Sequence, residues 1–170
     1  AAWKLNIISG VQRERITALF YPEQYKDVLY QQTNGKIALG SGGWIGEGYL
    51  HGSMTQSGSV PVNESDMILT VAGEELGFVG SAVIIILLLF ITIECIFIAR
   101  KAKDAAGRLI CCGMAALIGF QSIVNICVAT GLLPNTGVTL PFVSYGLTSL
   151  WSLYIGIGLV LNVGLQPKKY

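Results

Sequence analysis

From Leu76 to Ile93 the chain runs eighteen residues without a charge, almost all of them apolar. A helix rises about 1.5 Å per residue and the hydrocarbon slab of a bilayer is roughly 30 Å thick, so about 20 such residues span it. The span expected around this run covers residues 71–99. Two further blocks qualify, 109–129 and 146–163, the last dominated by Leu147, Leu150, Trp151, Leu153, Ile155, Ile157, Leu159, Val160 and Leu161. Hydrophobic residues make up 52% of the chain and charged ones 12%, gathered in blocks rather than spread at core periodicities, which excludes an ordinary soluble domain. Inside lipid only a helix or a closed barrel satisfies its own backbone. The fold class is therefore all-α: a polytopic membrane protein with three transmembrane helices and a large extracytoplasmic helical and loop segment, residues 1–70.

Charge between the spans sets the direction. Arg100, Lys101, Lys103 and Arg108 crowd a short link opposed only by Asp104, and Lys168 and Lys169 follow the last span. Both basic sites are expected in the cytoplasm, which puts residues 1–70 and the loop 131–145 on the outer face. That loop carries no basic residue. A net charge of +1 without a basic patch interleaved with aromatics gives no reason to expect nucleic acid. Cys95, Cys111, Cys112 and Cys127 all fall inside expected spans and read as small apolar packing residues. His51, the sole histidine, has no second ligand near it in sequence, so no metal site is expected.

The chain opens on Ala1 with none of the features of a signal peptide, and further membrane helices are expected upstream, the stretch Leu5 to Val11 being the end of one. Val11 to Phe20 can form an amphipathic turn or two, Pro22 interrupts it, and Gln24 to Leu39 resumes as a helix lying on the membrane. Next comes Gly40-Ser-Gly-Gly-Trp-Ile-Gly-Glu-Gly48. Its glycines permit positive φ and allow successive amides to converge on one anion, a phosphate nest with Lys36 as countercharge. The alternative is a flexible loop with Trp44 anchored at the interface. The segment 131–145 is too apolar for a solvated loop and too rich in Pro and Gly for a helix, so it reads as re-entrant, with Ser144 and Tyr145 as polar handles.

Asp66 stands between the glycine-rich stretch and the first span, a lone carboxylate at the edge of hydrocarbon. Either it caps the helix that follows or it does chemistry. Glu74 and Glu75 sit where the helix dipole favours acids, and Glu94 lies within snorkelling reach of the headgroups. Gln121 and Asn125, four apart on one face of the middle span, point at a neighbouring helix or at a substrate path.

Four ordered motifs carry a family resemblance: Lys36-Ile-Ala-Leu-Gly-Ser-Gly-Gly, then Asp66 shortly before Gly73-Glu-Glu-Leu-Gly, then Gly131-Leu-Leu-Pro-Asn-Thr-Gly, then Leu140-Pro-Phe-Val-Ser-Tyr-Gly. Together they resemble successive signatures of the SEDS family, which includes RodA, FtsW and SpoVE, from about Gln12 onward. The resemblance implies the large outer loop and last three helices of a ten-span fold in the bacterial cytoplasmic membrane. It further implies a peptidoglycan glycosyltransferase that polymerises lipid II, a polyprenyl-pyrophosphate-linked glycan donor, beside a class B penicillin-binding protein. On that pattern Asp66 falls at the essential outer-loop aspartate, expected as general base, while Lys36, Gly40, Ser41, Gly42 and Gly43 hold the pyrophosphate and Ser144, Tyr145, Gln121 and Asn125 line the substrate path. No cofactor is otherwise expected, with a divalent cation, Mg2+ or Mn2+, an open alternative. The family often has His-Thr before this aspartate and Phe-Ile-Phe after it; here the neighbours are Glu64, Ser65, Met67, Ile68 and Leu69, which leaves elongation, division and sporulation open. A lipid II transporter and a non-catalytic scaffold are the alternatives from other classes.

Overall fold

The computed structural model describes residue 17, residues 26–53 and residues 66–166. The expectations for Leu5 to Val11, Val11 to Phe20, Pro22, Lys168 and Lys169 lie outside the described residues. Four helices follow in chain order: α1 Lys26–Ser41, α2 Ile68–Lys101, α3 Ala105–Ala129 and α4 Leu147–Leu165. The last three are long and apolar enough to cross a membrane.

α2 has 34 residues, too many for one straight crossing, and it is not one straight helix. Gly77 sits at φ 69° and ψ −167°, outside helical space, and splits it into an outer piece, 68–76, and an inner piece, 78–101. The inner piece alone is about 36 Å long at 1.5 Å per residue, enough for the slab. Breaking a helix strands backbone groups, because the carbonyls of Glu74 and Glu75 lose the amides of Phe78 and Val79 four residues on. The loop after α1 takes both sides of the broken pairs. Glu47 N donates to Glu74 O at 2.9 Å and Gly48 N to Glu75 O at 3.1 Å, while Phe78 N donates to Gly43 O at 2.9 Å and Val79 N to Trp44 O at 3.2 Å. The backbones approach so closely that a methyl group on Gly42, Gly46 or Gly77 would overlap main-chain atoms of the opposite strand. Trp44 then rests edge-on against Phe78, ring centroids 5.4 Å apart.

α1 is bound to the same end of the bundle. Gly35 leaves room for Met67 and Thr70, and Gly73 on α2 leaves room for Leu39, so the two helices approach closely. Gln32 reaches across to α3, its Nε2 donating to Val128 O at 3.1 Å and Leu133 O at 2.6 Å. This satisfies carbonyls at a helix end. Two small clusters, Ala38 with Met67 and Val128, and Leu69 with Leu88, Ala129 and Leu140, fill the space beneath. At the opposite end α2, α3 and α4 meet over Cys95, Ala99, Cys111, Ala115 and Val160. Small residues there let helices pack where lipid offers no hydrophobic drive for association. Cys95 and Cys111 pack as expected, whereas Cys112 faces outward, and all four cysteines are free thiols. Phe90, Phe120, Ile123 and Trp151 cover the outer faces.

The glycine at the break should be irreplaceable. Gly77→Ala forces a side chain into a backbone region used almost only by glycine, at about 1–3 kcal/mol before any steric overlap. A clear fall in melting temperature of the purified intact protein in detergent is expected. Gly113→Ala, where an added methyl meets nothing within 4 Å, should be neutral or slightly stabilising.

Candidate functional site

Where α1 crosses α2, a groove of about 560 Å³ opens between Lys36, Leu39 and Gly40 of α1, Gly43 of the inserted loop, Leu69, Gly73, Phe78, Ser81 and Ile85 of α2, and Ile126 and Thr130 of α3. Its size falls in the ordinary range for ligand pockets. The wall is mostly apolar, and Lys36 supplies a cation at one edge. Lys36 is held against the chain reversal after α3: a side chain at Gly131 would collide with its Cε and Nζ. Gly131 is itself at φ 77°. It closes a Schellman cap in which Gly131 N donates to Val128 O at 3.0 Å and Leu132 N to Cys127 O at 2.7 Å. One residue thus ends α3 and makes room for the ammonium group.

Asp66 lies partly exposed one turn ahead of Leu69, which lines the groove. Met67, not Asp66, occupies the N-cap position of α2 and makes no side-chain capping bond. The backbone of Asp66 is fixed instead from α3. Asn125, with no exposed surface, donates through Nδ2 to Asp66 O at 2.9 Å and to Val138 O at 2.8 Å. One buried amide therefore holds together the segment bearing the carboxylate and the loop after α3. The groove itself thus offers a cation at one edge and a mostly apolar wall.

Comparison with known proteins shows the family. The family model described as "Cell cycle protein", covering FtsW, RodA and SpoVE, matches residues 2–169. The chain belongs to the FtsW/RodA/SpoVE family. It is 38% identical over 158 residues to a probable peptidoglycan glycosyltransferase FtsW of Geobacter sulfurreducens, covering 92% of this chain and 42% of the relative. It is 37% identical over 165 residues to the peptidoglycan glycosyltransferase MrdB of Escherichia coli, covering 95% and 44%. A solved chain from a peptidoglycan synthase complex that coordinates polymerization and crosslinking superposes with a TM-score of 0.74 at 30% identity, over 96% of this chain and 44% of that one. The chain thus spans less than half the length of the relatives it matches.

Within this family member the expected residues divide. Lys36, Gly40 and Gly43 line one groove. The nest does not form as expected at Gly40 and Ser41: both lie in the last turn of α1. Their amides point back along the helix, and the negative end of its dipole faces the loop. Ser41 Oγ donates to Ala38 O at 2.8 Å, and Gly42 is packed against the backbone of Gly73 and Glu74. Ser144 is buried and its Oγ accepts from Leu140 N at 2.7 Å, an internal bond of the loop, while Tyr145 stands exposed beside it. Asn125 is fully buried, and its Nδ2 is taken up by the carbonyls of Asp66 and Val138. Gln121 opens instead on a separate crevice of about 210 Å³ with Ser149 and Ser152, between α3 and α4.

Glu74 and Glu75 were expected at the start of a helix but are buried at its break, beneath the inserted loop. Sequence reading missed this, and it missed Gln32 and Ser81. A usable signal was the isolated Gly77 after two acids in an otherwise helical run, since such a glycine commonly has a packing reason.

Replacing the clamp should loosen both segments at once. Asn125→Ala removes the donor from two part-buried carbonyls, at up to about 1–3 kcal/mol each. Faster amide exchange is expected in residues 66–70 and 138–140 with little change near Cys95, a pattern readable by hydrogen-exchange mass spectrometry.

Proposed function

We propose that the protein containing this chain polymerises lipid II into glycan strands on the outer face of the membrane. The observation that carries the reading is a mostly apolar groove that carries a lysine, with a partly exposed Asp66, fixed by its backbone, one turn ahead of the groove residue Leu69. The names of the FtsW and MrdB relatives support it. Glycan transfer needs a sugar hydroxyl made nucleophilic and a pyrophosphate made a stable leaving group. Asp66 takes the proton from the acceptor hydroxyl as its oxygen attacks the anomeric carbon, and the bond from that carbon to the polyprenyl pyrophosphate breaks with the electron pair leaving on phosphate. General-base assistance of this kind contributes about 10²- to 10⁴-fold. Lys36 balances the departing charge, the electrostatic half of the reaction. Among the described residues no three His, Cys, Asp or Glu side chains gather. Mg2+ or Mn2+ would accordingly sit on the substrate phosphates with a carboxylate such as Asp66, neutralising charge there.

The sidedness belongs to the same proposal. α1, Asp66 and the loop after α3 share one end of the bundle, and the basic link Lys103 to Arg108 lies at the other, against Val163 and Gln166. The positive-inside rule assigns the first end to the exterior. The partner proposed is a class B penicillin-binding protein, a crosslinking enzyme fitting the synthase complex that the similar solved chain comes from.

In the intact protein, Asp66→Asn should abolish strand formation from lipid II in detergent while leaving the melting temperature unchanged. Retained polymerisation would end the proposal. A detergent assay has no membrane to cross, so strand formation there also separates a polymerase from a transporter or a scaffold. In a background lacking the native cysteines, Tyr145→Cys should react with an impermeant maleimide added to whole cells and Lys103→Cys should not; the reverse pattern would place the carboxylate on the side without substrate.

A further inference from the structure

Hydroxyls inside apolar helices usually donate to the carbonyl four residues back. In this chain Thr92 Oγ1 donates to Leu88 O at 2.9 Å, Ser122 Oγ to Ile118 O at 2.8 Å, Thr130 Oγ1 to Ile126 O at 2.8 Å and Ser152 Oγ to Thr148 O at 2.9 Å. Ser41 and Thr70 donate instead to the carbonyl three residues back, whereas Ser81 has no such bond. Its residue is only 8% exposed, and its Oγ, shielded from solvent, has no hydrogen-bond partner. The cause lies four residues back at Gly77, whose φ and ψ leave the helix and carry its carbonyl away from the helical ladder. The break that admits the glycine loop therefore also strips Ser81 of its ordinary acceptor. Ser81 lines the groove, one turn below Phe78 and on the same cavity as Lys36. An unused donor buried in an apolar wall costs about 1–3 kcal/mol. That cost is recovered when a ligand brings an acceptor.

We infer that Ser81 is a positioning residue for the phosphate end of a polyprenyl pyrophosphate, its hydroxyl donating to a phosphoryl oxygen in the groove while Leu69, Phe78, Ile85 and Ile126 cover the first part of the chain. The inference deepens the proposed function and rests on its reading of the groove as the lipid site. A phosphate offers acceptors only, which matches a wall that carries an ammonium and an unused hydroxyl donor; the other hydroxyl on that wall, Thr130, donates to Ile126 O.

The test uses the full-length protein in phosphatidylcholine nanodiscs and compares binding of undecaprenyl pyrophosphate, undecaprenol and phosphatidylglycerol. Ser81→Ala should weaken undecaprenyl pyrophosphate roughly ten-fold or more. Undecaprenol should be unaffected, and Ser81→Thr, which keeps the hydroxyl, should bind close to wild type. The ligand-free Ser81→Ala protein should melt at the same temperature as wild type or higher, because a stranded polar group has been removed; a merely structural serine would lower it. Unchanged affinity for the pyrophosphate in Ser81→Ala, or an equal loss for the alcohol, would overturn the inference. Wild-type binding of phosphatidylglycerol as tight as that of undecaprenyl pyrophosphate would overturn the isoprenoid assignment. A Ser81-dependent pyrophosphate affinity in a protein that makes no glycan strands would uphold the inference and overturn the proposed function instead.

Discussion

Four exchanged backbone hydrogen bonds at Gly77 are the constraint on which the outer half of the structure depends. In a continuous helix Phe78 and Val79 would donate to Glu74 and Glu75; here those amides go to Gly43 and Trp44, and those carbonyls receive Glu47 and Gly48. In or near lipid an unpaired backbone group costs several kcal/mol, so neither the break nor the loop is tolerable without the other. Because the loop follows directly from α1, fixing it fixes the end of α1. That places Lys36 over α2 and forms the groove. The same break buries Glu74 and leaves Ser81 without an acceptor. One glycine outside helical space thus sets the shape of the site, and the bundle below it packs as a conventional small-residue core.

The long helices were legible because hydrocarbon imposes a single requirement, length and apolarity, that composition reports directly. The observed Ala105–Ala129 and Leu147–Leu165 lie close to the expected blocks. The break was not legible, since Gly77 sits in a run that reads as one span and its partner strand lies some thirty residues earlier. For the same reason the glycine run permits either an anion nest or a flexible loop, and the sequence alone does not choose between them. A sequence of glycines announces positive φ, found at Gly43, Gly46 and Gly48. It does not say whether the freed amides meet a phosphate or a carbonyl, and at Glu47 and Gly48 they meet carbonyls.

The same limit governs the polar pair in α3. Helical spacing places Gln121 and Asn125 on one side, which is correct, but one turn separates two environments. Asn125 lies at the level where the Asp66 segment and the loop after α3 converge, and its amide is consumed in joining them. Gln121 lies one turn deeper, where α4 has drawn away enough to leave a crevice. Periodicity gives the face of a helix; what covers that face at each depth depends on how its neighbours tilt. Asp66 was the reverse case, since its position at the edge of an apolar run was informative in itself. The clamp that holds it, sixty residues later in the chain, was not.

Among the described residues, three buried side-chain polar atoms lack partners: Ser81 Oγ, Gln121 Oε1 and Asn125 Oδ1. Each is costly in a low-dielectric interior, yet they differ in what they can accept as relief. The two amide oxygens are acceptors only and can be satisfied by a hydroxyl, an amide or a water. Ser81 alone of the three can donate, and an anion can be met only by donors. The three atoms therefore sort by chemistry into one suited to phosphate and two suited to donors. The phosphate-suited atom is the one that shares a cavity with a lysine. Leu39, Leu69, Phe78, Ile85 and Ile126 make most of that wall apolar, so a soluble phosphate would leave apolar surface wet where a lipid-linked one would cover it. On the proposed function, Asp66, one turn ahead of the groove residue Leu69, would act on the sugar of such a lipid while Lys36 and Ser81 hold its phosphate.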